Sequence, residues 1–120
     1  MKLTTEKHLA AFEKEARYWI SKLGLLDWEL SFKREVLDNS RGMLRVNYLD
    51  RCASFFLCKE WTDPNAPLTI ANVRDCGKHE AIELLISDLA TIANSRFVTD
   101  DEWEQTRHSL VQRLMGALQR

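Results

Sequence analysis

The sequence predicts an α+β fold, in which a small antiparallel sheet of about three strands follows one helix and precedes two C-terminal helices. Three observations predict it. Apolar residues have helical spacing near the N-terminus, alternate with polar residues in the middle third, and return to helical spacing from residue 74 onward. A chain of 120 residues is long enough for one core and short for two, so we assign residues 1–120 to a single domain.

The first predicted element is a helix over residues 6–23. Thr4 or Thr5 can cap its start, and Gly24 ends it, because these residue types are typical of helix N- and C-termini. Its apolar positions lie on one side of the helix: Leu9, Phe12, Ala16, Trp19, Ile20 and Leu23.

Three strands are predicted next. The segments "DWELSFKREV" and "MLRVNYL" both alternate apolar and polar residues, and the turn at 38–42 between them predicts an antiparallel hairpin. The apolar segment "CASFFLCKEW" predicts a third strand, which the proline-containing loop "TDPNAP" closes. A fourth strand near Leu68 to Val73 is an open alternative.

Two helices complete the prediction. The first runs from Arg74 to Ala93, and the second starts at Thr99, which has capping-box spacing with Glu102. Their predicted apolar stripes are Ile82, Leu85, Ile86 and Leu89 on the first helix, and Trp103, Leu110, Val111, Leu114 and Leu118 on the second. The predicted core comprises Trp19, Trp28, Phe32, Leu44, Val46, Phe56, Ile82, Leu85, Ile86, Leu110 and Leu114.

Composition excludes some classes of function. The net charge of −1 gives the chain no overall attraction for nucleic acid, and no tryptophan lies in a basic stretch, so direct nucleic-acid binding is not expected. The longest apolar run, residues 82–89, is far shorter than the ~20 residues of a membrane span, so no membrane partner is expected.

Charges and cysteines predict the compartment. Glu6, Glu13 and Glu15 interrupt the stretch where a secretory signal would be apolar. Cys52, Cys58 and Cys76 are odd in number and lack the spacing of a disulfide framework, which is typical of reduced thiols. We therefore expect a cytoplasmic protein.

The segment "HEAIE", residues 79–83, carries the main chemical motif. His79 and Glu83 are four residues apart on a predicted helix, so both side chains project from one face and can share a metal ion. In a zinc hydrolase of this layout, Glu80 would act on metal-bound water and a third ligand would come from elsewhere. A carboxylate in place of the second histidine would make that water less acidic.

The order and spacing of several segments resemble the small zincin-like metallopeptidases of phages and prophages, of the SprT and minigluzincin type. The likeness covers nearly the whole chain, with "LGLLDWELSF" after the first helix, then "HEAIELLISDL" and a final "RHSLVQRLMGALQR". The corresponding family segments are similar to "HExxHLLLADL" and "EExxEHxLVxRL". The resemblance implies a zincin-like fold with His79 as the first ligand and Glu80 as the catalytic glutamate.

Two positions depart from the family pattern. Glu83 stands at the second histidine ligand, and Arg107 stands where the final-helix glutamate, the third ligand, would fall. These changes predict a Glu83–Arg107 ion pair in place of the metal, and hence no stoichiometric zinc. The alternative is that Arg107 extends to solvent.

Two functions from different classes follow. The first is a degenerate zincin-fold phage or prophage protein that binds another protein, with a host factor as one candidate, and needs no cofactor. The alternative is an active zinc metallopeptidase that uses His79, Glu83 and a ligand from the last helix, with Glu80 as general base.

Other assignments of these residues stay open. His79, Glu80 and Glu83 could be surface or structural residues of a solvated helix. Cys76 and His79 have the spacing of a structural zinc half-site that Cys58 could join. His108 with Glu104 could supply a replacement ligand from the last helix.

Overall fold

The computed structural model describes residues 2–94 and 97–118. It confirms the predicted α+β fold with an N-terminal helix, a small sheet and two C-terminal helices. The elements in chain order are β1 (Lys2–Leu3), α1 (Glu6–Lys22), β2 (Glu29–Glu35), β3 (Gly42–Asn47), β4 (Cys52–Cys58), β5 (Glu60–Trp61), α2 (Ile70–Ala93) and α3 (Asp100–Ala117).

The main sheet has the strand order β2-β4-β3. β4 is parallel to β2, with Phe32 opposite Phe55, and antiparallel to β3, with Leu44 opposite the same Phe55. The predicted hairpin between β2 and β3 is therefore wrong, and the sheet is mixed. The most apolar strand, β4, takes the central position because only there are both of its edges paired. β1 and β5 form a separate antiparallel pair.

The core lies between the sheet and the helix pair α1 and α2. Phe12, Phe55 and Leu84 are fully buried there. The two helices lie in close contact at Gly77, where a Cβ atom would lie 2.5 Å from the carbonyl oxygen of Phe12. This close approach fixes the rotation of α2, and with it the direction of the "HEAIE" segment.

The start and the buried face of α2 differ from the prediction. Thr69 caps the helix by accepting a hydrogen bond from Asn72 N, so residues 68–73 do not form a strand. The buried face includes Gly77, Glu80 and Leu84, whereas the predicted core residues Ile82 and Ile86 are exposed. Apolar residues occur nearly all round α2, so spacing alone could not select the face that packs.

α3 begins as predicted, with Thr99 Oγ1 accepting a hydrogen bond from Glu102 N at 3.1 Å. Its predicted apolar stripe is wrong, because Trp103, Val111 and Leu114 are exposed while Leu110 is only partly buried. Instead, the face with Arg113 and Ala117 lies against the rest of the protein. An ion pair of 3.8 Å between Arg113 and Asp27 favours this rotation.

Two further core predictions need correction. Val46 remains 37% exposed at the outer side of β3. Phe56 is buried, but it alternates with Phe55 and Leu57 along β4 and therefore faces away from the helices. Lys33 and Arg45 cover its ring, each at 5.5 Å from the centroid.

Across residues 2–94 and 97–118, none of the helices combines the length and apolar character that crossing a bilayer requires.

Candidate functional site

The "HEAIE" segment of α2 flanks two neighbouring cavities. One, of about 450 Å³, lies between α2, the turn at 39–42 and the loop at 62–64; we call it the Glu80 cavity. The other, of about 440 Å³, lies between β3 and the side of α2 that carries Ile86 and Ala90; we call it the β3–α2 groove. Gly42, His79 and Glu80 line both, so the two spaces meet at the start of β3.

Glu80 is the buried acid of the site. It is only 6% exposed, and none of the described residues gives its carboxylate a hydrogen bond or an ion pair. The carboxylate oxygen Oε1 lies next to Gly42, 3.4 Å from where a Cβ atom of that residue would stand. Burial raises the pKa of Glu80; nearby His79 opposes this shift, and the negative charge of Glu83 adds to it.

His79 and Glu83 form a pair on the surface of α2. The Nε2 atom of His79 lies 3.5 Å from the Oε1 atom of Glu83, as expected for residues four apart on a helix. Their side chains are 67% and 53% exposed. The structure thus brings together all three residues of the predicted motif, but buries only Glu80.

The predicted ion pair between Glu83 and Arg107 is not present in the structure. Arg107 Nη2 instead contacts Glu104 Oε2 at 2.5 Å, within α3, and both of these side chains are mostly exposed. The prediction failed because it placed Arg107 on the face of α3 that packs against α2, whereas that position faces solvent.

Among residues 2–94 and 97–118, the donors do not make up a zinc centre with three protein ligands. Among the described residues, no group of three or more His, Cys, Asp or Glu side chains is placed to hold one metal ion. His79 and Glu83 supply two donors, and Glu104 is paired with Arg107.

The alternative half-site of Cys76 with His79 does not fit either. Cys58 and Cys76 are both buried free thiols. Within the described residues, Cys58, Cys76 and His79 do not form a group of three donors placed to hold one metal ion.

The walls of the Glu80 cavity include residues that sequence reasoning missed. Arg41 and Asp63 come from the two loops and form an ion pair at 3.4 Å, with the Arg41 guanidinium 5.7 Å from the centroid of the Trp61 ring. The sequence does mark both segments as loops. Nothing in it places the two loops at the same side of α2, because that depends on the pairing of β4 with both β2 and β3.

The outer edge of β3 is the second feature that was missed. Within the described residues, β3 is a terminal strand of the sheet. Cys58 N donates to Arg41 O at 2.9 Å, and Gly42 lies opposite Leu57, so Gly42 is a non-hydrogen-bonded position of the antiparallel ladder. Leu44 and Val46 follow at alternate positions. Their backbone N–H and C=O groups therefore point away from β4, toward the open edge.

No protein-family model matches this chain, and no curated protein or solved structure matches it significantly. Its function is therefore inferred from its own residues.

Proposed function

We propose that this protein binds an extended segment of another protein along the outer edge of β3, beside the β3–α2 groove, without cleaving it. The observation that carries this proposal is the set of outward-facing backbone groups at Leu44 and Val46. An unpaired edge strand accepts a further strand through main-chain hydrogen bonds, and an adjacent groove accepts its alternate side chains.

The groove supplies the apolar contact that such a complex needs. Val46 on β3 and Ile86 on α2 line it and are 37% and 44% exposed. Burial of apolar surface adds about 25 cal/mol per Å² to binding before the cost of association is subtracted. An added strand would cover both residues while it pairs with β3.

Binding without proteolysis agrees with the donor set. Two exposed donors, His79 and Glu83, are fewer than a catalytic zinc site uses. The proposal includes the relationship to zincin-like phage and prophage proteins, with a host protein as one candidate partner. It takes the cytoplasm as the setting, which the three free thiols favour.

A displayed library of random peptides, each long enough to span the six residues of β3, tests the proposal. We expect selection of extended peptides that bind the wild-type chain. Two versions of a selected peptide are compared, one with its odd-numbered backbone nitrogens methylated and one with its even-numbered nitrogens methylated. One version should lose binding and the other should retain it, because an added strand donates hydrogen bonds to β3 only at alternate residues. Equal effects in both versions would contradict strand addition.

A substitution on β3 provides a matched test. Val46→Pro removes one outward N–H without removing a bond to β4, whereas Val46→Thr retains that N–H. We expect Val46→Pro to weaken peptide binding by about tenfold or more and Val46→Thr to change it little. Circular dichroism of both variants checks that the fold is retained.

The second candidate function is a zinc-dependent peptidase. The 3.5 Å contact between His79 and Glu83 is the observation that favours it, because two donors already meet on one face of α2. Elemental analysis separates the candidates. We expect less than ~0.2 zinc per chain after purification in zinc-containing buffer, since three protein ligands are usual for catalytic zinc. About one zinc per chain, lost in His79→Ala, would favour the peptidase.

A further inference from the structure

We infer that the bound segment carries a lysine or arginine whose cationic head enters the Glu80 cavity. This inference rests on the proposed function and specifies the chemistry of the partner. It concerns the point where the β3–α2 groove meets the Glu80 cavity, at Gly42, His79 and Glu80.

The first support is the isolation of the Glu80 carboxylate. The residue is only 6% exposed, its carboxylate borders both spaces, and it receives no hydrogen bond or ion pair from the described residues. A buried carboxylate is costly unless a donor or a cation accompanies it. An ammonium or guanidinium group from a ligand would supply what the chain itself does not.

The second support is the charge around the cavity. Glu83 lies about one helical turn from Glu80 and lines the groove, so two carboxyl groups lie near the junction. The cation in the cavity wall, Arg41, is already paired with Asp63. Apart from His79, which contacts Glu83, the described residues that line the junction offer no unpaired basic side chain, and a basic ligand side chain complements its two carboxyl groups.

The third support is geometric. A segment paired with β3 places alternate side chains toward α2, on the same side as Gly42, Leu44 and Val46. Gly42 lies directly against the Glu80 carboxylate, since a Cβ atom there would stand 3.4 Å from Oε1, so that carboxylate borders the space where the groove meets the Glu80 cavity. A long, flexible side chain at the matching position of the segment would extend into that space.

Selection from the random library tests this inference. We expect enrichment of lysine or arginine at one position of the selected peptides. Replacing that residue by glutamine should weaken binding about tenfold or more, because a charged partner of a buried carboxylate is lost. Glu80→Gln should remove the preference for the cationic residue, and Glu83→Gln should reduce it less. The control is Glu60→Gln, an exposed glutamate on β5, which should retain it.

A small probe separates this inference from the proposed function. Butylguanidinium chloride, with neutral butylurea as its matched control, is titrated into ¹⁵N-labelled protein. We expect saturable shifts at the amides of Gly42 and Glu80 with butylguanidinium only, and their loss in Glu80→Gln.

The outcomes are distinguishable. Peptides that bind β3 without a basic preference, and equally well to Glu80→Gln, would overturn the cation site and leave the proposed function standing. Saturable butylguanidinium binding with no selected peptide would support the cation site and overturn the proposed function. Failure of both measurements would overturn both.

Discussion

Gly77 of α2 and Phe12 of α1 lie so close that a Cβ atom on Gly77 would stand 2.5 Å from the Phe12 carbonyl oxygen. Ala16 N and Glu15 Cβ would also lie within 3.3 Å of that atom. The contact involves backbone, which cannot rotate away as a flexible side chain could. It therefore determines how α2 faces β3, and where His79 and Glu80 point.

Because of this contact, replacing Gly77 by alanine should destabilise the protein, although the same replacement usually stabilises a helix. Alanine normally stabilises a helix interior relative to glycine by about 1 kcal/mol. We expect Gly77→Ala to lower the free energy of unfolding by ~1–3 kcal/mol instead, because the methyl group would overpack the interface between the helices. Urea denaturation measures the change.

Gly116 in α3 is the matched control. A Cβ atom there would meet no atom within 4 Å, so Gly116→Ala should raise the free energy of unfolding by about 0.5–1 kcal/mol. Equal effects of the two substitutions would show that Gly77 is not a close-packed position.

The raised pKa of Glu80 predicts a dependence of stability on pH. Below its ordinary value of 4.5 the side chain is protonated in both states, and its burial carries no charge penalty. As pH rises through the raised pKa, the folded state must ionise a buried carboxyl, so stability is lost. We therefore expect Glu80→Gln to gain stability relative to wild type as pH rises from about 4.5 toward neutrality.

Chemical denaturation of wild type, Glu80→Gln and Glu83→Gln at several pH values measures this dependence. Glu83 is half exposed, so its substitution should change the profile less. A stability difference between wild type and Glu80→Gln that does not vary with pH would refute the predicted burial penalty.

The partly buried ion pairs of Arg51 should contribute more to stability than the exposed pair of Arg107. It contacts Asp88 at 2.6 Å and Asp27 at 2.5 Å, and its guanidinium lies 3.9 Å from the centroid of the Trp28 ring. These contacts join the sheet to α2. We expect Arg51→Met to lower the free energy of unfolding by ~1–3 kcal/mol, less than for a fully buried pair.

Arg107→Met is the control for that substitution. The Arg107–Glu104 pair is exposed, so its loss should cost about 0–1 kcal/mol. A larger loss for Arg107→Met than for Arg51→Met would mean that Arg107 has a structural role of the kind that the sequence predicted.

The different burial of the three cysteines predicts the order in which their thiols react. Cys58 and Cys76 are buried, and burial raises the pKa of Cys76 to about 11, while Cys52 is partly exposed. We expect Ellman's reagent to modify Cys52 first in the folded protein, and all three thiols after unfolding. Loss of the fast phase in Cys76→Ser, with its retention in Cys52→Ser, would contradict this order.

The sequence was informative where a local signal determined the structure. The caps at Thr5 and Thr99 and the turn at Gly24, which has a φ of 71°, mark element ends through the chemistry of single residues. The motif residues His79, Glu80 and Glu83 were placed on one helix because their spacing is also local.

Predictions that depended on long-range packing were wrong. The hairpin of β2 and β3 was inferred from their proximity in sequence, but β4 pairs with both, and only the completed sheet determines that order. Likewise, the rotation of α2 depends on a contact between Gly77 and Phe12, 65 positions apart in the chain. The predicted packing face of α3, and with it the predicted partner of Arg107, was wrong for the same reason, because it also depends on long-range packing.

Amide hydrogen exchange at Leu44 and Val46, with and without a selected peptide, tests strand addition to β3 most directly. The account predicts slower exchange at both amides in the complex, because their N–H groups gain partners, and little change at Met43 and Arg45, which already face β4. Unchanged exchange at Leu44 and Val46 in a saturated complex would contradict it.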